Sequence, residues 1–447
     1  MQKILRKSAV ILLSLLLTVS IFAGCSFFDR IQKQIDHKTG SVCAPELIRL
    51  LVNAIDDPSS FSETYEELPE SQREALSFTN FVEYVTILHE LSSPNGKIEG
   101  FEFLNDEENS DHLNKLYNKL CQQMPAESFE EYFDKYGNIR TVRLLYSGEA
   151  PDPLYLYICV DGDDFAHLSS EWVNDTISNY NYLRHYFNMI DSGNVDAIAG
   201  LIKNTKGFTA QNVSYPDEFY QAKAEYIEDF YKYRVRNTTD RFDLTSANAL
   251  YVNYFIPEVI AADGQSYFSR NVTSYRSSSG EISIADDISQ ETDMSIATVN
   301  VSPILTLRCG SVYEYSTLTR ICGKPLSVYV PYENLSEEYD ADGNLTVRKR
   351  LVIQYNGLSL VFEAGYTDEK NWVGELVSIR IVKNSKTNFS CCDIKVGDDE
   401  LTVIKRFPML EYGNYNLNYD AGSKLYRLEY IMKDGIVDSI HITCEEK

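Results

Sequence analysis

Apolar residues recur along this chain first at helical and then at strand spacing, and the switch happens more than once. From Pro45, the positions Leu47, Leu50, Leu51, Ala54 and Ile55 lie on one face of a helix, with Pro45 suited to its first turn and Asp56-Asp57-Pro58 ending it. Ser77 is a natural N-cap for a second helix, in which Phe78, Phe81, Val82, Val85 and Leu88 repeat at helical spacing until Ser92-Ser93-Pro94-Asn95-Gly96. A third is expected over Leu113 to Cys121. The period then changes: Leu154, Leu156, Ile158 and Val160 alternate with Tyr155, Tyr157 and Cys159, which predicts a strand, and Asp161-Gly162-Asp163-Asp164 predicts its closing turn.

The order then restarts. Setting Leu47 to Asp56 against Tyr182 to Asp191 matches Arg49 with Arg184, Asn53 with Asn188, Ile55 with Ile190 and Asp56 with Asp191. A further helix over Asp217 to Val235 and alternating runs at Ala249 to Ile256, Tyr267 to Tyr275 and Glu281 to Ile288 complete a second helix, helix, strands series. This order resembles cystatin-like and NTF2-like folds, in which helices pack on a curved antiparallel sheet, and the resemblance assigns no residue a role.

In the last third, a short helix over Tyr313 to Cys322 stops at Gly323-Lys324-Pro325, and strands are expected at Arg348 to Tyr355, Leu358 to Ala364 and Leu376 to Lys383. Gly397-Asp398-Asp399-Glu400 leads into a second short helix, Leu401 to Phe407, followed by strands at Leu425 to Met432 and Val437 to Thr443 hinged by Asp434-Gly435. Val377 to Ile381 matches Asp438 to Ile442 in pattern and place. Leu307 to Thr443 resembles the tandem helix-plus-sheet units of the β-lactamase-inhibitory-protein and outer-membrane-lipoprotein assembly families, in which a glycine-and-acid turn starts the helix. That resemblance implies two units whose sheets stand side by side.

The N-terminus follows neither pattern. Lys3, Arg6 and Lys7 precede an apolar run from Ser8 to Phe22, too short to span a bilayer comfortably, and then Ala23-Gly24-Cys25. Phe22-Ala23-Gly24-Cys25 resembles a bacterial lipobox, which implies cleavage before Cys25, lipidation of its sulfur, and a lipid-anchored protein on the extracytoplasmic face of the cell membrane. Residues 25–42 then read as a polar tether. The expected organisation is a signal peptide over 1–24, the tether, α+β domains over 43–172 and 173–293, and a tandem helix-plus-sheet domain over 294–447. The fold class is therefore α+β and multi-domain, with helices packed on antiparallel sheets and the two N-terminal domains related to each other.

Composition narrows the partners. The 447 residues carry a formal charge of −25, and removing 1–24 takes away three basic residues and no acid, leaving −28. Such a field repels nucleic acid phosphates, so nucleic acid is not an expected partner. Of nine cysteines, eight remain if Cys25 is lipidated, an even number that permits disulfides without pairing them. No CxxC or zinc-ligand spacing occurs among them, and the adjacent Cys391-Cys392 would not bridge in an extended backbone, so no metal is expected.

Catalytic signatures are missing too. No H-E-x-x-H, G-x-S-x-G or G-x-G-x-x-G occurs, and Gly323-Lys324-Pro325 lacks the spacing and hydroxyl of a phosphate loop. His37, His89, His112, His167, His185 and His441 are scattered and read as surface or core residues. Asp340-Ala341-Asp342-Gly343-Asn344 reads as a hairpin tip, because an EF-hand needs its glycine at the sixth position. No catalytic residue and no cofactor is expected. Tyrosine is abundant, 32 in all, and Tyr412, Tyr415 and Tyr419 are candidate contact residues for a protein or cell-wall glycan. The expected function is binding of such an envelope ligand, with an envelope enzyme using unidentified carboxylates, or a solute-binding receptor, as the alternatives.

Overall fold

The computed structural model describes residues 42–124, 127–147, 153–161, 165–205, 215–236, 242–261, 264–286, 288–331, 334–339, 345–383, 388–411 and 413–447. Cys25 with its leader and the tether to Ser41, the turn residues Gly162 to Asp164, the tip Asp340 to Asn344, and Tyr412 lie outside them. Helices and antiparallel sheets alternate in an α+β, multi-domain arrangement. The described residues form two compact units: one takes those up to Ser192 together with those of 204–208 and 234–287, and the other those of 193–203, 209–233 and 288–447.

In the first unit the strands β1 (Val42–Cys43), β2 (Ile98–Phe103), β3 (Ile139–Tyr146), β4 (Tyr155–Asp161) and β5 (Phe165–His167) form one antiparallel sheet in the order β1-β5-β4-β3-β2. The strands β6 (Asp243–Ala247), β7 (Tyr251–Ile260), β8 (Tyr267–Arg276) and β9 (Ile282–Asp286) form a second sheet, a meander. Helix α1 (Ala44–Asp56) opens with Pro at its first turn, as the sequence predicts, and buries Leu47, Ile48, Leu51, Ala54 and Ile55. Short helices α2 (Phe61–Glu67) and α3 (Glu70–Ala75) lead to α4 (Phe78–Ser92), which packs on α1 and is capped by the Ser77 side chain accepting from the Asn80 amide. Helices α5 (Asp106–Cys121) and α6 (Phe129–Asp134) each begin with a capping box, Asn105 with Glu108 and Ser128 with Glu131.

The boundary expected at 172/173 falls inside α7 (Ser170–Asp191), one continuous helix of 22 residues that packs on α4, β7 and β8. Its Trp172 lies in a core joining Leu116, Tyr132, Tyr136 and Tyr157 to Leu250, Tyr251 and Tyr275. Several of the missed elements, α2, α3, α6, β2 and β6, are short, although β3, also missed, has eight residues. Helical periodicity needs three or more turns to stand out, and six or seven residues supply fewer than two.

His112 on α5 is a half-buried histidine set against two tyrosines. Its ring sits 4.3 Å from that of Tyr155, and Nε2 lies 3.0 Å from the Tyr157 hydroxyl. Burial first, and then the charges of Lys115 and Arg143, push its pKa down to about 4. A histidine held neutral contributes stability that is present above its unfolded pKa near 6.5 and is lost as pH falls toward 4. We expect the wild type to lose about 1–2 kcal/mol between pH 7 and pH 5 from this group, allowing for its partial exposure. Urea midpoints at the two pH values check this: His112→Gln should show a correspondingly smaller acid loss, and an equal loss in both chains refutes it.

The second unit includes helices α8 (Val195–Asn204), except its last residue, and α9 (Asp217–Arg234), likewise. After the turn Met294–Ala297 come β10 (Thr298–Ser302), β11 (Leu305–Arg308), β12 (Val312–Glu314), α10 (Tyr315–Cys322), β13 (Ser327–Tyr329), β14 (Ser336–Tyr339), β15 (Leu345–Tyr355), β16 (Leu358–Asp368) and β17 (Asn371–Val382). The rest is β18 (Ser390–Cys391), β19 (Ile394–Lys395), α11 (Glu400–Arg406), β20 (Asn416–Ala421), β21 (Lys424–Lys433) and β22 (Ile436–Glu446). Nine of these strands make one sheet, β13-β15-β16-β17-β22-β21-β20 with β12 on β17 and β14 on β15, and β11-β10-β18-β19 make a small one. Asp434 and Gly435 take positive φ, 55° and 73°, the two-residue turn that an Asp-Gly pair between strands predicts. Among the described residues no helix is long and apolar enough to cross a membrane.

Candidate functional site

The nine-stranded sheet has one covered and one open face. Leu318 on α10 and Val403 and Ile404 on α11 are buried, as are Leu360, Phe362, Leu376, Ile379, Leu428, Ile440 and Ile442 on the strands. Alternation turns the intervening residues the other way, and there Arg380, Arg427 and Glu429 are exposed and His441 half-buried. The Ser378 hydroxyl lies 3.0 Å from His441 Nε2, and Arg350 pairs with Glu363 at 2.8 Å. This face is polar, hydrogen-bonding and of mixed charge.

Its two halves join where β17 pairs antiparallel with β22. Ile379 faces Ile442, Arg380 faces His441 and Ile381 faces Ile440. The matched segments Val377 to Ile381 and Asp438 to Ile442 thus meet at the centre of the sheet. His441 is both the residue aligned with Arg380 and the residue opposite it, so a local two-fold relating the paired segments passes through that pair.

Tyr415 and Tyr419, the candidate tyrosines among the described residues, lie elsewhere. Tyr415 is 5% exposed, and its hydroxyl donates to Glu400 at the start of α11. Tyr419 is half-buried and pairs with Tyr426 across β20 and β21, in register with Leu417 opposite Leu428, which puts it on the covered side. Tyr415 therefore serves packing, and Tyr419 is not on the open face. Four residues of separation gives a common side, but sequence alone does not say which side is covered.

Two thiol clusters also emerge. In the first unit, Cys159 on β4 is directly opposite His167 on β5, and Asp161 is two residues along the same strand. One donor atom from each lies within 4.8 Å of the others, and His167 Nδ1 is 2.6 Å from Asp161 Oδ2. The Cys159 side chain, ahead of opposing burial and supporting Asp161, raises the His167 pKa to about 9. Spacing along the chain hides this set because the strand pairing, not a short motif, brings it together. The available signal is Cys-x-Asp followed six residues later by His, with Gly-Asp-Asp directly after the Asp.

In the second unit, Cys391 ends β18, and Cys392 and Asp393 occupy the two turn positions before β19 with φ of 52° and 69°. The expectation for this pair assumed extended backbone. The left-handed turn instead brings the two sulfurs to 3.9 Å. The contact with Cys391, helped by the Ser295 hydroxyl 3.6 Å away and by Arg406, lowers the Cys392 pKa to about 7 against the opposing effect of burial. Among the described residues no cysteine is paired in a disulfide.

Fold and sites together define a multi-domain α+β protein of antiparallel sheets and helices, bearing a broad sheet with one open face and two thiol clusters. Comparison with family models, with curated proteins and with solved structures finds no match.

Proposed function

We propose that this chain is a lipid-anchored protein of the extracytoplasmic face of a bacterial membrane, held through Cys25, that binds an envelope protein or cell-wall glycan through the open face of its nine-stranded sheet. The observation that carries the binding site is the run of exposed Arg380, Arg427 and Glu429 around half-buried His441 on a face opposite both helices. Guanidinium and carboxylate groups spaced along neighbouring strands suit sugar hydroxyls or peptide backbone, and they add orientation and on-rate to what packing supplies. The lipobox-like Phe22-Ala23-Gly24-Cys25 supports the anchor.

Both parts are testable in cells. Arg380→Glu with Arg427→Glu should leave stability within about 0.5 kcal/mol, as surface changes do, while retention on isolated cell wall or crosslinking to an envelope protein is lost. Unchanged capture by the double variant removes the sheet face from the proposal. Cys25→Ala should move the chain from the membrane to the soluble fraction, and the wild-type N-terminus should be an acylated Cys25 by mass spectrometry. An unmodified N-terminus at any other residue overturns the anchor.

A further inference from the structure

We propose that Cys159, Asp161 and His167 form a binding site for one divalent transition-metal ion of the zinc class. The geometry follows from the pairing of β4 and β5. Directly opposed residues on antiparallel strands project to the same side, as do residues two apart on one strand, so all three side chains leave the same face. Their donor atoms already lie within 4.8 Å of one another. Around a tetrahedral ion, with sulfur at about 2.3 Å and nitrogen or oxygen at about 2.0–2.2 Å, donors sit roughly 3.3–3.7 Å apart. The wider separations would close by about 1 Å and the 2.6 Å contact of His167 with Asp161 would open by a similar amount, shifts on the scale of side-chain rotation.

The donor set selects the ion. A thiolate disfavours calcium and magnesium, which take oxygen ligands, while thiolate, imidazole and carboxylate together suit zinc. Exposure is graded across the cluster: Cys159 is 5% exposed, His167 half-buried and Asp161 exposed. A bound ion would thus be seated on the sulfur side and open on the carboxylate side, where water completes the coordination. Binding releases the Cys159 thiol proton, and any proton on the His167 nitrogen that ligates, to solvent as the metal bonds form.

Gly137 shapes the sulfur side. A Cβ at that position would lie 2.7 Å from Cys159 Sγ, and its φ of +82° is one that side chains rarely adopt. The glycine therefore leaves the sulfur room to turn toward an ion. The same three residue types serve elsewhere as a nucleophile, base and orienting acid, but an attacking thiol needs an approach for its substrate, and burial of Cys159 denies one.

The experiment uses the full chain, stripped by chelator under reducing conditions and titrated with cobalt(II) alone. We expect about one ion per chain, a thiolate-to-cobalt charge-transfer band in the near ultraviolet, and displacement of cobalt by zinc. Cys159→Ser should abolish the band, and Asp161→Asn and His167→Gln should each weaken affinity by about 10-fold or more. The other thiol cluster is the control: the band must persist in the Cys391→Ser, Cys392→Ser double variant. Urea unfolding of each metal-free variant shows whether it retains the fold; if Cys159→Ser does not, His167→Gln and Asp161→Asn carry the test. Loss of the band in the Cys391, Cys392 variant, its survival in Cys159→Ser, or no cobalt bound by the folded wild type overturns the site.

Discussion

Replacing Asp286 with Ala should destabilise the chain by about 3–5 kcal/mol, measured as a lower urea midpoint with an unchanged slope. Asp286 ends β9 and pairs with Arg270 on β8; the two side chains are 0% and 7% exposed. Tyr186, reaching from α7, donates its hydroxyl to the other carboxylate oxygen at 2.7 Å. Removing the carboxylate takes this counter-charge from a guanidinium held in the interior, and desolvation cost that the pair had offset then appears. Geometry and charge separate in a second variant: Asp286→Asn keeps the shape and most hydrogen bonds, and should cost less. The double variant Arg270→Met, Asp286→Leu removes both charges at similar volume and should recover most of the loss, because a buried ion pair is worth little beyond an apolar pair. If Asp286→Ala shifts stability by under about 1 kcal/mol, water reaches this pair and the burial argument fails.

In the second unit, Gly374→Val should cost about 3 kcal/mol and abolish whatever the open sheet face binds. Gly374 lies on β17, between Ala364 on β16 and Tyr313 on β12. A Cβ at Gly374 overlaps the Cβ of Ala364 and comes within 2.8 Å of its Cα and 2.9 Å of the Glu363 carbonyl oxygen. Two of those three atoms are backbone, so no rotamer change relieves the overlap; the strands themselves must part. β17 also carries Ile379 and Ile381, which meet Ile442 and Ile440 at the junction of the two halves, so strain there reaches the centre of the binding face. The pair can be tested by exchange. Gly374→Ala alone should destabilise, and adding Ala364→Gly should restore part of the loss, since one methyl then occupies the space from the opposite side. Equal stabilities for Gly374→Val and wild type would mean that β16 and β17 are not held this closely in solution.

Many helices and strands of ordinary length were legible in the sequence because their signals are local, though Ile139–Tyr146 and Val195–Asn204 were not read. The stretches Leu47 to Ile55, Phe78 to Leu88, Leu358 to Ala364 and Val437 to Thr443 carry their period within a few turns or pleats, and each lies within an observed element. The hinge at Asp434-Gly435 was readable for the same reason, since the dipeptide itself supplies the positive φ. Short helices such as Glu70–Ala75 escaped because tertiary contacts, more than periodicity, sustain them.

The candidate sites were much less legible. Tyr415 and Tyr419 were identifiable as tyrosines that share a side, yet only packing decides that Glu400 takes the Tyr415 hydroxyl and that Tyr419 stands opposite Tyr426. Cys159, Asp161 and His167 share no recognised ligand motif, and pairing of β4 with β5 brings them together. The repeat of Val377 to Ile381 at Asp438 to Ile442 was visible in the sequence, but that the copies pair with each other at Arg380 and His441 was not. The sequence determined local periods, turns, the acidic charge and the lipobox-like leader, all of which depend on residues near one another in the chain. Register between strands, the side of a sheet that is covered, and the convergence of donors depend on which distant segments bury apolar area together, and that choice is made only when the whole unit packs.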